Sequence, residues 1–217
     1  MTHPWLSMLL IATTASAHAQ SVSPPADSAT TAAVDRIVAR ASADGLPADA
    51  VRAKAREGIS RGVPGDRVVA VVSAYADALR EARALLGDEP PIRQDLVATA
   101  GALTAGVSRP AATTLASAAH ARPGARTVTV PFVVTGDLVA RGVPPDSAAA
   151  AVRTALQHGA SDAELWRLRE AIAHDIADGA PPLEAAMLRT GSTPPASTHP
   201  QPHPTSPPVT GVPPTPP

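Results

Sequence analysis

The chain has 217 residues, contains no cysteine, and carries 18 basic against 19 acidic side chains, a formal net charge of −1. The absence of cysteine excludes disulfide scaffolds, thiolate nucleophiles and cysteine-based zinc sites. No nucleic-acid partner is expected, because the balanced charge and the few aromatic residues provide neither a basic face for phosphates nor a platform for stacking bases.

Residues 1–19 are predicted to be a signal peptide. Their apolar stretch, from Trp5 to about Ala17, is shorter than the ~20 residues that a membrane-spanning helix needs. The stretch ends in Ala17-His18-Ala19, the small-x-small pattern of a signal-peptidase site, although no Lys or Arg precedes it. We therefore expect export to a periplasmic or extracellular location. The alternative is a frayed alanine-rich end of a cytosolic protein.

Residues 20–27 are interpreted as an N-terminal linker, and residues 28–190 as an all-α domain. Glycines recur through this domain every 17 to 25 residues, at Gly45, Gly62, Gly87, Gly106, Gly124, Gly142, Gly159 and Gly179. One helix and one turn fit each interval. The spacing predicts an array or compact bundle of about eight or nine short helices, arranged as irregular helical-hairpin repeats. No later apolar run reaches membrane length, so no transmembrane anchor is expected.

Three of these glycines begin a repeated motif, Gly-Leu/Val-Pro-x-Asp, at residues 45–49, 62–66 and 142–146. Glycine can end a helix in the left-handed conformation, and proline can open the next helix at its first position. The aspartate then faces the positive end of the helix dipole. Weaker copies of the turn contain Ser108, a predicted N-cap, and Ser161 with Glu164, a predicted capping box.

Apolar residues inside the intervals follow helical spacing, most clearly in the stripe Val68, Val72, Tyr75, Leu79, Ala82 and Leu86. Shorter stripes contain Val34, Ile37, Val38 and Ala41, and Leu165, Leu168, Ile172 and Ile176. Residues 127–139 are the exception, since their β-branched start alternates like a strand. A helix from near Pro131 to Ala140 is preferred, because a lone strand would have no partner in the chain.

Catalytic and phosphate-binding signatures are missing from the sequence, and we expect no catalytic, cofactor-binding or metal-ligating residue. The best residual cluster is Glu170, His174 and Asp178, spaced four residues apart, which could offer nitrogen and oxygen ligands to a divalent metal. A solvated helix face is the preferred interpretation of these residues. Trp166 and Tyr75 are interpreted as packing residues, with Trp166 also a possible interface anchor.

Residues 191–217 contain no Asp, Glu, Lys or Arg and are rich in Pro, Ser and Thr. This composition is typical of a disordered or polyproline-II tail, which would act as a spacer or tether.

At REGISRGVPGDRVVAVV and at DLVARGVPPDSAAAAV the chain resembles a group of uncharacterised exported bacterial proteins with glycine-punctuated helical repeats. The resemblance covers residues 45–190, implies an all-α fold and carries over no site residue. The expected function is that of a non-enzymatic interaction or scaffold module in the cell envelope, with a protein or envelope component as partner. The alternative is an envelope enzyme or metal-binding protein whose site is assembled from scattered residues such as Glu170 and His174.

Overall fold

A computed structural model describes residues 28–87, 91–124 and 126–191, so the predicted signal peptide, the linker and the tail after Gly191 lie outside the described residues. Within those ranges the chain forms nine helices and no strand, which confirms the predicted fold class. The helices are α1 Ser28–Ala43, α2 Ala48–Ser60, α3 Gly65–Leu86, α4 Arg93–Thr104, α5 Arg109–His120, α6 Thr129–Ala140, α7 Pro145–Gln157, α8 Asp162–Ala177 and α9 Pro182–Thr190. No helix in this described part has the length and apolar character needed to cross a membrane.

The chain divides into two compact units, with the boundary inside α3 after Glu81. In the first unit α1, α2 and the start of α3 bury the apolar stripes that the sequence predicts. Val38, Val51 and Val72 are buried there. The start of α3 lies against α1 so closely that a Cβ on Gly65 would come 2.0 Å from the Thr30 hydroxyl oxygen. Glycine at this position is therefore required by the packing of α1 on α3.

The second unit begins with the last turn of α3 and contains α4 to α9. In it α4, α6 and α8 pack in sequence, and α5, α7 and α9 pack in sequence beside them. The α6–α7 and α8–α9 pairs also contact each other as hairpins. The largest fully buried side chains of this core are Phe132, Leu115, Leu138, Leu165 and Ile172. The most extensive contacts of the unit are those of α4 with α6 and of α5 with α7, between helices two places apart, whereas α9 packs on both α7 and α8.

Helix α6 occupies the segment whose pattern resembles a strand. It is a helix, as preferred from the sequence, and it begins two residues before Pro131, at Thr129. Proline is tolerated in a first turn because its missing N–H would have no partner there. Pro131, Phe132, Val134 and Leu138 are all buried, since α6 contacts α4, α7 and α8. A helix that is apolar on most sides loses the one-sided spacing by which helices are recognised.

Seven of the predicted glycines follow a helix end within two residues, as expected, whereas Gly124 lies four residues after the end of α5. All eight have positive φ, between +66° and +100°. At Gly142 the glycine N–H donates to Val139 O at 2.9 Å, and the Val143 N–H donates to Leu138 O at 3.1 Å. This pair of bonds is the Schellman motif, and it satisfies carbonyls that the helix end would leave unpaired.

The motif proline stands one residue earlier than predicted. Pro47 and Pro144 are N-cap residues of α2 and α7, not the first helical residues. The Pro144 carbonyl accepts the first helical bond, from Ala148 N at 2.9 Å, while its ψ of 136° keeps the residue extended. An extended residue is needed between the glycine cap and the new helix, and the fixed φ of proline suits it. The aspartates Asp49, Asp66 and Asp146 do lie in first turns.

Turns at one end of the second unit contact one another at regular intervals. A Cβ on Gly106 would lie 3.3 Å from Cγ of Pro145, and a Cβ on Gly142 would lie 3.4 Å from Cγ of Pro182. Asp146 adds a hydrogen bond, since its Oδ1 accepts from Ser108 N at 2.8 Å. The motif therefore joins consecutive hairpins as well as consecutive helices.

Candidate functional site

A groove of about 1240 Å³ lies in the second unit, at the C-terminal ends of α5 and α7. Its walls come from these two helices, from the turn around Gly124, and from the turn that leads from Gly159 into α8. Because its lining comes from α5, α7, two turns and the first residues of α8, its side chains belong to segments far apart in the sequence.

The groove is rich in cations. Three arginines line it, Arg122, Arg126 and Arg153, and Asp162 is the single carboxylate among the described lining residues. The whole chain, by contrast, has one more acidic than basic side chain. The groove thus concentrates positive charge that the net composition conceals.

One of the three arginines is neutralised within the groove. Arg122 Nη1 lies 2.6 Å from Asp162 Oδ1, and the Arg122 side chain is only 14% exposed. Its Nε also donates to Ala119 O at 3.3 Å. The pair holds the Gly124 turn against the first residue of α8.

The other two arginines are available to a ligand. Arg126 and Arg153 make no ion pair and no side-chain hydrogen bond with any residue that the structure describes. Arg126 is exposed and Arg153 is half-buried. Guanidinium groups offer several N–H donors in a planar fork that matches a carboxylate or a phosphate.

Hydroxyl groups of α5 line another part of the groove. Thr113 Oγ1 donates to Arg109 O at 2.9 Å, and Ser117 Oγ donates to Thr113 O at 3.0 Å. Thr114 Oγ1 donates likewise to Ala111 O at 2.9 Å. A hydroxyl has one hydrogen to donate and two lone pairs that accept, so these groups face the groove as acceptors.

Arg126 is positioned by a buried carboxylate of α4. Asp95 is 6% exposed, and its Oδ1 accepts from Val128 N at 3.0 Å and from the hydroxyls of Thr127 at 2.5 Å and Thr129 at 2.6 Å. These three bonds fix the backbone directly after Arg126 and the start of α6. Hydrogen bonds from three donors compensate for the burial of this carboxylate.

The N-terminus of α8, which lies beside the groove, is capped by its own side chains. Ser161 Oγ accepts from Glu164 N at 3.3 Å, and Glu164 Oε2 accepts from Ser161 N at 2.8 Å, which confirms the predicted capping box. The Ser161 N–H, followed by the Ser161 hydroxyl, holds the pKa of Glu164 below its usual range. An anion in the groove would therefore be bound by the arginines and not by this helix end.

The residues proposed from the sequence as possible metal ligands lie outside the groove. His174 Nε2 is 3.4 Å from Asp178 Oδ2, with both side chains about two-thirds or more exposed. Asp178 is the C-cap of α8, and Glu170 is exposed one turn before His174. In the ranges that the structure covers, no three His, Cys, Asp or Glu residues come together in a way that could hold a metal ion.

The two aromatic residues singled out from the sequence take different positions. Tyr75 is buried, as expected for a packing residue. Trp166 is partly buried against the core, and the Arg169 guanidinium lies 5.5 Å from its ring centroid.

The arginines of the groove were not identified from the sequence. Arg122 and Arg126 flank the Gly124 turn in ARPGAR, and this pair of like charges around a tight turn is the only local signal. The sequence gives no such signal for Arg153, because this residue follows the ordinary pattern of an exposed helix residue.

Comparison with protein-family models, with curated proteins and with solved structures finds no match.

Proposed function

We propose that this chain is an exported helical-repeat protein that acts as a non-enzymatic interaction module in the cell envelope, and that it contacts its partner through the arginine groove. The observation that carries this proposal is the presence of Arg126 and Arg153 in one groove without counter-charges among the described residues. Arginine is enriched at the interfaces where proteins bind one another.

The chemistry of the groove favours binding over catalysis. A hydroxyl nucleophile needs a base to receive its proton, but Thr113 and Ser117 already donate their hydrogens to backbone carbonyls. Arginine stays protonated at physiological pH and does not act as a general base. These groups can orient and neutralise a ligand, which is what an interaction module requires.

Two features support the helical-repeat part of the proposal. Helices two places apart pack on each other along the second unit, α4 with α6, α5 with α7, α6 with α8 and α7 with α9, as hairpins do when they stack in solenoid proteins. The glycine-to-proline contact between turns recurs at Gly106 and at Gly142, 36 residues apart. A spacing near this value is typical of two-helix repeats.

Export is tested by N-terminal sequencing of the protein from its native host. We expect cleavage after Ala19, because Ala17 and Ala19 fit a signal-peptidase site. A mature protein that retains Met1 or the intact leader would contradict export.

The interaction itself is tested by photo-crosslinking in the native host. A photoreactive phenylalanine analogue is placed at Ser117 in the groove, or at Ala177, an exposed residue of α8 that does not line it. We expect a defined protein or envelope adduct from position 117 and none from position 177. Equal labelling from both positions, or no adduct from either, would overturn the proposal.

A further inference from the structure

Because the groove combines unpaired cations with acceptor hydroxyls, we infer that its ligand is an acidic peptide segment, lying extended between α5 and the Gly124 turn. This inference rests on the proposed function and specifies the chemistry of the partner.

The positive charge of the groove determines which charged groups the ligand should carry. Asp162 is already paired with Arg122, so it does not offset the positive charge of Arg126 and Arg153. A carboxylate side chain can accept two parallel bonds from each guanidinium. The ligand should therefore carry at least two acidic groups, one for each unpaired arginine.

The hydroxyl groups of the groove indicate that the ligand carries hydrogen-bond donors. Thr113, Thr114 and Ser117 present lone pairs toward the groove, because their hydrogens are given to backbone carbonyls. These exposed groups can accept hydrogen bonds from a ligand that also donates. A peptide supplies a backbone N–H at nearly every residue, whereas a phosphate chain at neutral pH supplies acceptors alone.

The size and lining of the groove indicate the class of its ligand. A volume of about 1240 Å³ exceeds the ~300–1,000 Å³ of typical small-molecule pockets. No aromatic side chain lines it among the described residues, so a stacked base or a proline-rich helix lacks the surface that it needs. Small residues, Ala118 and Ala160, instead let a peptide backbone approach closely.

The test measures binding of a labelled eight-residue peptide of alternating glutamate and serine to the full chain, by fluorescence anisotropy at low ionic strength. The matched peptide has glutamine in place of glutamate. We expect the glutamate peptide to bind at least ~10-fold more tightly, and its affinity to fall with added salt.

Variants then locate the site. Arg126→Gln and Arg153→Gln should each weaken binding about 10-fold, since each removes a charged hydrogen-bond donor. Arg141→Gln is the matched control, because Arg141 is an exposed arginine of the same unit that does not line the groove. It should leave binding unchanged.

The variant Asp162→Asn should change the affinity for the glutamate peptide in the opposite direction. Removing this carboxylate releases Arg122 and adds a third available guanidinium, so binding of the glutamate peptide should strengthen several-fold. A variant that merely disturbed the fold would weaken binding instead. Circular dichroism melts establish that each variant is folded.

Three results would overturn the inference. They are equal binding of the glutamate and glutamine peptides, equal weakening by Arg141→Gln and Arg153→Gln, and displacement of the peptide by inorganic phosphate at equimolar concentration. An adduct at position 117 in the host together with no glutamate-peptide binding would leave the proposed function standing and reject the acidic ligand.

Discussion

Thr99 and Thr135 lie on the neighbouring helices α4 and α6, and both side chains are fully buried. The two hydroxyls differ in one respect. Thr135 Oγ1 donates to Pro131 O at 2.8 Å, whereas Thr99 Oγ1 has no hydrogen-bond partner among the described residues. A buried polar atom without a partner has lost its hydrogen bonds to water, and no hydrogen bond in the folded protein compensates for that loss.

Replacing each threonine by valine, which has nearly the same shape, should therefore change stability in opposite directions. Thr99→Val should raise the free energy of unfolding by about 1 kcal/mol, and Thr135→Val should lower it by about 1 kcal/mol. Urea denaturation followed by circular dichroism measures both values. A stability loss in both variants would mean that Thr99 has a partner after all.

At the scale of single elements, the glycine that ends α6 provides the sharpest test of the helix caps. Gly142 has a φ of +92°, and its Cβ would lie 3.4 Å from the Pro182 ring. Gly142→Val should destabilise the chain by at least ~1 kcal/mol, because a β-branched side chain is forced into the left-handed region.

The control for this variant is a helical glycine. Gly191, at the start of the predicted tail, has a φ of +66° and caps α9, so a side chain at this position would be strained as well. Gly101 lies within α4 with open space around its Cβ, and Gly101→Ala should stabilise by about 0.5–1 kcal/mol. Unchanged thermal unfolding of Gly142→Val would reject the role assigned to this turn.

An ion pair joins the last two helices. Arg189 Nε and Nη2 lie 2.7 Å and 2.6 Å from the two carboxylate oxygens of Asp175, a bidentate geometry. The hydrogen bonds from Arg189, and then its charge, hold the pKa of Asp175 below its usual range. The stabilisation is therefore present above the ordinary aspartate pKa of about 4 and is lost as the pH falls through the lower folded value.

We expect Asp175→Asn to lower the urea midpoint at pH 7 and to approach the wild-type midpoint as the pH falls below about 4. Asp35→Asn, at an exposed position of α1, makes the same charge change without an ion pair and should have little effect. A constant difference between Asp175→Asn and wild type from pH 7 to pH 3 would contradict the coupling.

Local signals predicted most of the helices and their ends, because caps depend on residues close together in sequence. The capping box at Ser161 and the N-cap at Ser108 are confirmed on this basis. The groove was not predicted, because Arg126 follows the turn after α5 and Arg153 lies on α7, and only the packing of these segments places both residues in one groove. The hydrogen bond that Asp95 accepts from Val128 N joins residues more than thirty positions apart, and sequence periodicity does not predict such a bond.

At the scale of the second unit, stability should decline toward its last helix. Helix α9 packs on α7 and α8, whereas α6 packs on α4, α5, α7 and α8, and Leu188 of α9 is 76% exposed. In a stacked array an end element has neighbours on one side only.

We expect amide hydrogen exchange under native conditions to be at least about 10-fold faster in α9 than in α6, because α9 can open without the rest of the unit. Mass spectrometry of peptides covering Pro182–Thr190 and Thr129–Ala140 measures both rates. Equal protection of the two helices would show that the unit opens only as a whole.

The cations of the groove are all arginines, and the single lysine of the chain, Lys54, lies on α2. Arginine keeps its charge throughout the physiological pH range and is not a target of lysine acetylation. An acetyltransferase could therefore not remove the positive charge of the groove, and control would have to come from the ligand, including protonation of its carboxylates, or from ionic strength. Amine-reactive reagents would also leave the groove unmodified, whereas a glyoxal reagent specific for guanidinium groups should be excluded from it by a bound partner.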